Sequence, residues 1–291
     1  MAIREDYYFP SADGKTTVHA VRWSPEKLSP IAVLQFIHGV GENTDKYEET
    51  AEYLVAQGFI VAGIDLLGHG KTSLNESDMG FFADRNSWKI LCADIHRQYE
   101  IESSFAPALP YFLLGHSLGS FLGRTYISIY DTHFSGCLFT GSTQRSPISY
   151  VAAYCLAAVT ALLRGPRFRS SLVSRITYGR FTPHYGEDHT LLPTVGMSRD
   201  IFGGMAHMVR FSTIKRSVKD APIFFFSGAK DPVSKYGAEL YNAKKLFEKA
   251  GCSDVTVKVY PNAPHSMLRS DIKEEVWHDI STWILDKINQ N

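Results

Sequence analysis

The sequence predicts an α/β protein whose mostly parallel sheet is covered by helices on both faces. Short runs rich in β-branched and aromatic residues alternate with helix-length segments along the chain. Several of these runs are apolar on both faces, as strands buried within a parallel sheet are. With 291 residues, 44% of them hydrophobic, the chain favours one large α/β domain, with or without an insertion, over two independent modules.

The strands are predicted where large apolar and β-branched residues cluster, because such residues fit a pleated, buried surface. In chain order these runs are residues 18–23, 31–37, 59–65, 111–114, 137–140, 222–227 and 255–260. Helix-length segments lie between or after them, at residues 45–57, 87–104, 118–130, 236–249 and 271–288. The alternation of the two kinds of segment is what predicts a parallel sheet.

This alternation fails between the strands predicted at 137–140 and 222–227. Roughly seventy residues separate them, far more than an ordinary connection between elements. We therefore expect residues 143–217, called the insertion below, to form a helical subdomain. The core then comprises residues 1–142 and 218–291. The insertion also carries ten Lys and Arg residues against three acidic ones, although the whole chain balances 30 against 30.

Composition excludes several other classes. A formal charge of zero provides no general attraction to nucleic acid. The four cysteines have no CxxC spacing and no histidines at metal-ligand intervals, so neither a disulfide framework nor a metal site is expected. No N-terminal apolar run has the length of a signal peptide, and the expected location is the cytoplasm.

The strongest local motif is Gly115-His116-Ser117-Leu118-Gly119, which follows an apolar strand and precedes a helical segment. In such a strand-turn-helix the serine lies on a strained turn, and the flanking glycines let the two elements pack closely. The side chain of Ser117 would be presented at the C-terminal edge of the sheet. This context predicts a nucleophilic serine.

A serine hydroxyl needs a base and a group that orients the base. In this architecture the acid and then the histidine follow the serine along the chain. Asp231 lies just past the strand predicted at 222–227, and His265 just past the strand at 255–260. All three residues are therefore expected at one edge of the sheet as a catalytic triad.

Acyl transfer also needs N–H donors for the oxyanion. The strand at 31–37 runs into His38-Gly39-Val40-Gly41-Glu42, where the backbone N–H of Val40 can face the same point as that of Leu118. His38 is interpreted as a structural residue of this loop. Asp65 and His69 are interpreted as loop-stabilising residues, because one carboxylate and one imidazole do not make a metal site.

These motifs together resemble the α/β-hydrolase-fold serine hydrolases of the monoacylglycerol lipase and lysophospholipase type, which include S33 serine aminopeptidases. Residues 38–42 are similar to the HG-small-GE oxyanion loop of that family, and Gly68-His69-Gly70-Lys71-Thr72 after Asp65 is similar to its D-x-x-GHG-x-S segment. The resemblance implies an eight-stranded sheet with a helical cap after the sixth strand. It also implies the roles given above to Ser117, Asp231, His265, Val40 and Leu118, and no cofactor.

In the resembling family the insertion covers the nucleophile and lines the acyl pocket. The candidate substrate contacts are the histidine that precedes the nucleophilic serine and four apolar residues at near-helical spacing: His116, Ile148, Ala152, Leu156 and Val159. Packing of the insertion on the core is an equal explanation for the four apolar residues. Transient contact of this apolar segment with a membrane surface is a further possibility.

The charge of the insertion suggests that it recruits anionic acyl substrates through Arg167, Arg169 and Arg175. The alternative is that these arginines pair with acidic groups of the core. The predicted function is ester hydrolysis through an acyl-enzyme, on monoacyl lipids or other small carboxylic esters. A thioesterase or small-peptide hydrolase, and a non-catalytic ligand-binding member of the fold, are the alternatives. The sequence leaves the oligomeric state open.

Overall fold

One eight-stranded sheet forms the centre of the computed structural model, which describes residues 2–178, 192–217 and 220–290. The strands lie in the order β1-β2-β4-β3-β5-β6-β7-β8. Their bounds are β1 Ala2–Pro10, β2 Thr17–Pro25, β3 Ala32–Ile37, β4 Phe59–Ile64, β5 Tyr111–His116, β6 Gly136–Thr140, β7 Ile223–Gly228 and β8 Val255–Tyr260.

In the order of the sheet, neighbouring strands from β4 to β8 pair in parallel. Strand β2 pairs antiparallel with both of its neighbours, β1 and β4. The predicted mostly parallel sheet of eight strands is confirmed. The apolar runs alone had indicated seven strands, because β1 lacks a continuous apolar stretch. Its alternating exposed and half-buried residues pair only with β2, at the edge of the sheet.

Helices cover both faces of this sheet, as predicted. Their bounds are α1 Glu48–Ala56, α2 Ser87–Phe105, α3 Leu118–Tyr126, α4 Ile148–Arg164, α5 Ser171–Tyr178, α6 Val195–Met208, α7 Phe211–Ile214, α8 Ala238–Ala250 and α9 Lys273–Gln290. One apolar core unites α1 and α9 with one face of the strands, and a second core unites α2, α3 and α8 with the other face. Short 3₁₀ turns at Thr44–Tyr47, Gly70–Thr72 and Met267–Arg269 lie in the loops.

The helices α4 to α7 belong to the insertion and lie between β6 and β7. A small apolar cluster joins α4 to α5 and α6 through Ala157, Ala161, Val173 and Val195. Helix α6 also contributes buried residues, including Met197 and Ile201, to the core that α2, α3 and α8 form with the sheet. Residues 179–191, with the predicted charges of Arg180, Glu187 and Asp188, lie outside the described residues.

Two arginines and a threonine fasten the insertion to one loop of the core. Arg167 donates to Asp78 at 3.0 Å and to the carbonyl of Ser77 at 3.1 Å. Arg169 donates to the carbonyl of Met79 at 2.5 Å, and Thr194 donates through its N–H and its hydroxyl to the carbonyl of Gly80. The guanidinium groups of Arg167 and Arg169 therefore hold core backbone and a core carboxylate, which is the alternative explanation of their charge.

Within the described ranges, none of these helices combines the length and the apolarity that crossing a membrane requires.

Candidate active site

The turn between β5 and α3 holds Ser117 in a strained conformation. Its φ is +51° and its ψ is −116°, in a region that residues with a side chain rarely adopt. The backbone N–H of Ser117 donates to the carbonyl of Thr140 at 2.9 Å, which ties the turn to the end of β6. A Cβ at Gly119 would lie 2.0 Å from the carbonyl oxygen of Ile37. Only glycine permits this close approach of α3 to β3, so the second glycine of the motif sets the position of the serine.

The loops that follow β7 and β8 bring Asp231 and His265 into contact. Nδ1 of His265 lies 2.8 Å from Oδ1 of Asp231, and both side chains are buried. Burial by itself raises the pKa of Asp231, but the hydrogen bond and the charge of His265 and the hydroxyl of Ser227 outweigh it, so that the pKa lies below its usual value. The carboxylate is therefore ionised at neutral pH, as a group that orients a catalytic histidine must be.

Backbone contacts between the two loops fix this pair. The N–H of Lys230 donates to the carbonyl of Ala263 at 2.9 Å. Gly228 lies so near that a Cβ there would be 2.1 Å from the same carbonyl oxygen. The imidazole of His265 in turn stands beside the serine turn, because its centroid lies 5.0 Å from that of His116. The structure thus brings the three predicted triad residues to one edge of the sheet.

The loop after β3 forms a tight turn, closed by a hydrogen bond of 3.3 Å from the N–H of Glu42 to the carbonyl of Gly39. Val40, at the tip of this turn, lies on the wall of the same cavity as Ser117 and Leu118. Among the described residues, neither the N–H of Val40 nor that of Leu118 donates to another backbone or side-chain group. Two N–H donors are thus open beside the serine.

Two histidines near this loop, His38 and His69, are buried and bonded to backbone, and Nδ1 of His69 lies 3.0 Å from the carbonyl of Leu67. Nε2 of His38 accepts from the N–H of Leu66 at 3.0 Å, and its Nδ1 lies 2.7 Å from the carbonyl of Gly39. Asp65 accepts from Nδ1 of His19 and from the N–H groups of Thr44 and Lys71, so it joins strand β2 to two loops. His38 and Asp65 are accordingly structural residues of the loops around the site.

A cavity of about 320 Å³ opens above Ser117. The core side of its wall is formed by Val40, Ser117, Leu118, Phe121, Pro232 and Val233. The insertion forms the rest, with Thr143, Arg145, Ser149, Tyr150, Ala153, Ile176, Tyr178, Ile201, Phe202 and Met205. The wall is mostly apolar with a few hydroxyl groups, and none of these residues is acidic.

The structure does not bring the candidate substrate contacts of α4 to this cavity. Ile148, Ala152 and Val159 lie on the exposed side of the helix, and Leu156 packs against the small cluster inside the insertion. The cavity is lined instead by Ser149, Tyr150 and Ala153, one helical step away. The apolar stripe predicted from the sequence exists, but most of it faces outward. The side of α4 that carries Ser149, Tyr150 and Ala153 faces the cavity above the serine.

His116 is also absent from the cavity wall. Its ring is buried behind the serine turn, where Nε2 lies 3.9 Å from Oε1 of Glu42. Burial is the main cause that lowers the pKa of His116 to about 4, so this imidazole is neutral at pH 7.

Two buried residues of the site were missed by the sequence reasoning. Ser227 donates to Oδ2 of Asp231 at 2.7 Å. Arg124 of α3 donates to the carbonyl of Thr143 at 2.7 Å and to the side chain of Gln144, and so holds the start of the insertion. Burial lowers the pKa of Arg124 to about 10. Arg124 could have been recognised from the sequence, because it is the single charged residue in the otherwise uncharged segment that forms α3.

A metal centre finds no support in the described part of the chain, which holds no group of three His, Cys, Asp or Glu side chains able to bind an ion.

Comparison with known proteins gives the family. The family model described as serine aminopeptidase, S33, a hydrolase family, matches residues 29–271. The chain is 23% identical to the monoacylglycerol lipase of Mycolicibacterium smegmatis over 98% of either chain. It is 25% identical to the human monoglyceride lipase, with 90% of this chain and 84% of the relative covered.

Solved structures show the same fold. A carboxyl esterase from Bacillus coagulans, in complex with glycerol, superposes with a TM-score of 0.85 at 24% identity over 99% of both chains. A soluble variant of the monoglyceride lipase from Saccharomyces cerevisiae superposes with a TM-score of 0.76 at 20% identity, covering 99% of this chain and 96% of the other. With the α/β-hydrolase fold and the match over residues 29–271, the chain belongs to the S33 serine aminopeptidase family of hydrolases.

Proposed function

We propose that the protein is a serine ester hydrolase that cleaves monoacyl lipids, or other small carboxylic esters, through an acyl-enzyme. The observation that carries the proposal is the strained Ser117 turn, which shares a cavity with Val40 and Leu118 and lies beside the buried pair of Asp231 and His265. A nucleophile, a base, its orienting acid and two open N–H donors are the groups that acyl transfer requires.

In the proposed mechanism His265 takes the proton of the Ser117 hydroxyl as its oxygen attacks the ester carbonyl. Asp231 stabilises the imidazolium that forms. The N–H groups of Val40 and Leu118 donate to the oxyanion of the tetrahedral intermediate. His265 then gives its proton to the leaving alcohol, and a water molecule, activated by the same imidazole, hydrolyses the acyl-enzyme.

The proposed substrate class follows from the cavity and from the relatives. A mostly apolar space of about 320 Å³ is at the small end of ligand pockets and suits one acyl chain. Relatives named monoacylglycerol lipase and monoglyceride lipase match almost the whole chain, which supports monoacylglycerol as a substrate. The family name also suggests an aminopeptidase. That activity is disfavoured, because no Asp or Glu among the described cavity residues could bind the α-ammonium group of a peptide.

We propose that the insertion, residues 143–217, acts as a cap on the core formed by 1–142 and 218–291. Its described residues supply most of the cavity wall above Ser117. The outer side of the cap exposes large apolar residues, among them Ile148, Val151, Val159, Leu162 and Leu163 of α4 and Leu172 of α5. Exposed apolar side chains concentrated on one element are typical of surfaces that contact lipid. We propose that this surface docks transiently on membranes that hold the substrate.

As part of this proposal the protein works in the cytoplasm, since all four cysteines are free thiols.

The test is hydrolysis of p-nitrophenyl esters from acetate to palmitate and of a monoacylglycerol, by wild type, Ser117→Ala and a control, Ser128→Ala. Ser128 is also a buried serine, but its hydroxyl donates to a helix carbonyl away from the cavity. We expect wild type and Ser128→Ala to be active and to be labelled by a fluorophosphonate. Ser117→Ala should lose at least about 10³-fold in kcat and all labelling.

Each alternative has its own outcome when an acyl thioester and a peptide amide are added to these substrates. Preference for an acyl thioester or a peptide amide over every oxygen ester would favour the thioesterase or peptidase. Absence of labelling and of activity in a folded wild-type protein would rule out the catalytic assignment and favour a ligand-binding protein.

A further inference from the structure

The carboxylate of Glu42 is the point at which three loops of the site meet. Glu42 is buried at the end of the turn that carries Val40. Its Oε2 accepts a hydrogen bond from the N–H of Gly39 at 2.8 Å and another from the hydroxyl of Tyr47 at 2.6 Å. One oxygen of the carboxylate therefore holds the turn from within.

The other oxygen holds two segments that come from distant parts of the chain. Nη2 of Arg269 donates to Oε1 of Glu42, and Nε2 of His116 lies 3.9 Å from the same atom. Arg269 ends the 3₁₀ turn Met267–Arg269, four residues after His265. His116 precedes Ser117 directly. Glu42 is thus ion-paired with the loop of the proposed base and lies beside the turn of the proposed nucleophile.

Charge makes the link to Arg269 strong. Burial alone would raise the pKa of Glu42, but His116, which is protonated in acid, the charge of Arg269 and the hydrogen bonds from Tyr47 and Gly39 lower it to about 2. Glu42 is therefore ionised at neutral pH. His116 is uncharged there, so Arg269 is the cationic partner of Glu42. Removing one member of such a pair leaves an uncompensated buried charge and is strongly unfavourable.

We propose that Glu42 is a positioning residue, which through Arg269 holds the oxyanion turn and the His265 loop in register with Ser117. The residue lies off the cavity wall, so it acts through the groups it holds and not on substrate. This inference rests on the proposed function. It assigns to Glu42 and Arg269 a role in transition-state geometry, where a shift of 1 Å can cost about 100-fold in rate.

The test begins with Glu42→Gln, which keeps the shape of the side chain and removes the charge that Arg269 pairs with. With p-nitrophenyl butyrate, a soluble substrate, we expect kcat to fall about 10- to 100-fold while KM changes less than about twofold. The rate of fluorophosphonate labelling should fall in parallel, because it depends on the same oxyanion donors and the same base.

Two substitutions of Arg269 separate positioning from general structural support. Arg269→Met should reproduce the loss in kcat, and Arg269→Lys should recover part of it because it keeps the charge. The double variant Glu42→Gln with Arg269→Met should be no slower than the slower single variant, since both break one link. Lys258→Met is the matched control. It breaks the ion pair with Asp279, between β8 and α9, and should leave kcat unchanged.

The outcomes are separable from those of the proposed function. If wild type hydrolyses esters and Ser117→Ala does not, but folded Glu42→Gln and Arg269→Met both keep kcat within twofold, the inference is wrong and the serine mechanism stands. A rise in KM at constant kcat also contradicts it, because it would make Glu42 a substrate-binding residue. If Glu42→Gln does not fold, Arg269→Met decides, since Arg269 is about one-third exposed.

Discussion

The hydroxyl of Ser227 donates to Oδ2 of Asp231 at 2.7 Å, and Oδ1 of the same carboxylate faces His265 at 2.8 Å. The two oxygens of the acid are thus divided between an anchor and the proposed base. The anchor lies at the end of β7, a rigid element, and Asp231 lies in the loop that follows.

Ser227→Ala should therefore hold the carboxylate of Asp231 less firmly without removing it. Loss of a hydrogen bond to a charged acceptor costs about 1.5–3 kcal/mol of folding free energy. The pKa of Asp231 should rise and kcat/KM for a soluble ester should fall about 3- to 10-fold. Ser281→Ala, which removes another buried serine hydroxyl on α9, is the control and should keep full activity. Equal activity of Ser227→Ala and wild type across the pH–rate profile would refute the anchoring role.

The cavity predicts a dependence on acyl length that one substitution on α4 should change. Ala153 lies on the cavity wall, and Ala152 beside it on the helix is exposed. A phenylalanine at position 153 would fill part of the space of about 320 Å³. Ala153→Phe should lower kcat/KM for p-nitrophenyl dodecanoate at least about 10-fold, and that for the acetate less than about twofold, because methylene burial is lost only for the long chain. Ala152→Phe should have no such selective effect. The same profile in both variants would mean that the acyl chain takes another path.

The exposed apolar side of α4 should govern binding to lipid surfaces. Leu162 and Leu163 are 84% and 74% exposed, so their burial on docking would be a large part of the apolar contact. The double substitution Leu162→Ser with Leu163→Ser should reduce sedimentation with phosphatidylcholine vesicles about 10-fold or more and leave hydrolysis of p-nitrophenyl butyrate unchanged.

Leu28→Ser is the matched control for this surface. Leu28 is 54% exposed, but it lies in the connection between β2 and β3, at the edge of the sheet opposite Ser117. This variant should bind vesicles as wild type does. Vesicle binding that is equal in all three proteins would exclude docking through the cap.

Acid should destabilise the protein partly through His116. The pKa of this imidazole is lowered by burial to about 4 in the folded state, and it is about 6.5 in an unfolded chain. Below pH 6.5 the unfolded state binds a proton that the folded state does not, so the contribution of His116 to stability is complete above pH 6.5 and is lost between pH 6.5 and 4.

His116→Gln should therefore reduce the loss of unfolding free energy on acidification. The slope between pH 6.5 and 4 should be smaller by up to about 1.4 kcal/mol per pH unit, measured by urea unfolding at several pH values. A variant as acid-sensitive as wild type over this range would show that His116 is not responsible. Activity is best measured above pH 6.5, where the two proteins differ least for this reason.

Features that depend on neighbours along the chain could be predicted from the amino-acid sequence. The strand-turn-helix around Ser117 and the loops of Asp231 and His265 could be predicted because apolar strands, glycine turns and the ends of parallel strands are recognisable from short segments. The fold class followed from the same local alternation, and the family resemblance supplied the number of eight strands.

Which groups meet across the fold depends on the three-dimensional packing of the chain. The apolar stripe of α4 could be read from spacing, but spacing does not tell whether a helix turns that stripe to a cavity or to solvent, and Ala153 rather than Ala152 reached the serine. Glu42 and Arg269 are 227 residues apart, and no local pattern marks them as partners. Such pairs arise because a buried charge must find its counterpart wherever packing brings one, and packing is a property of the whole chain.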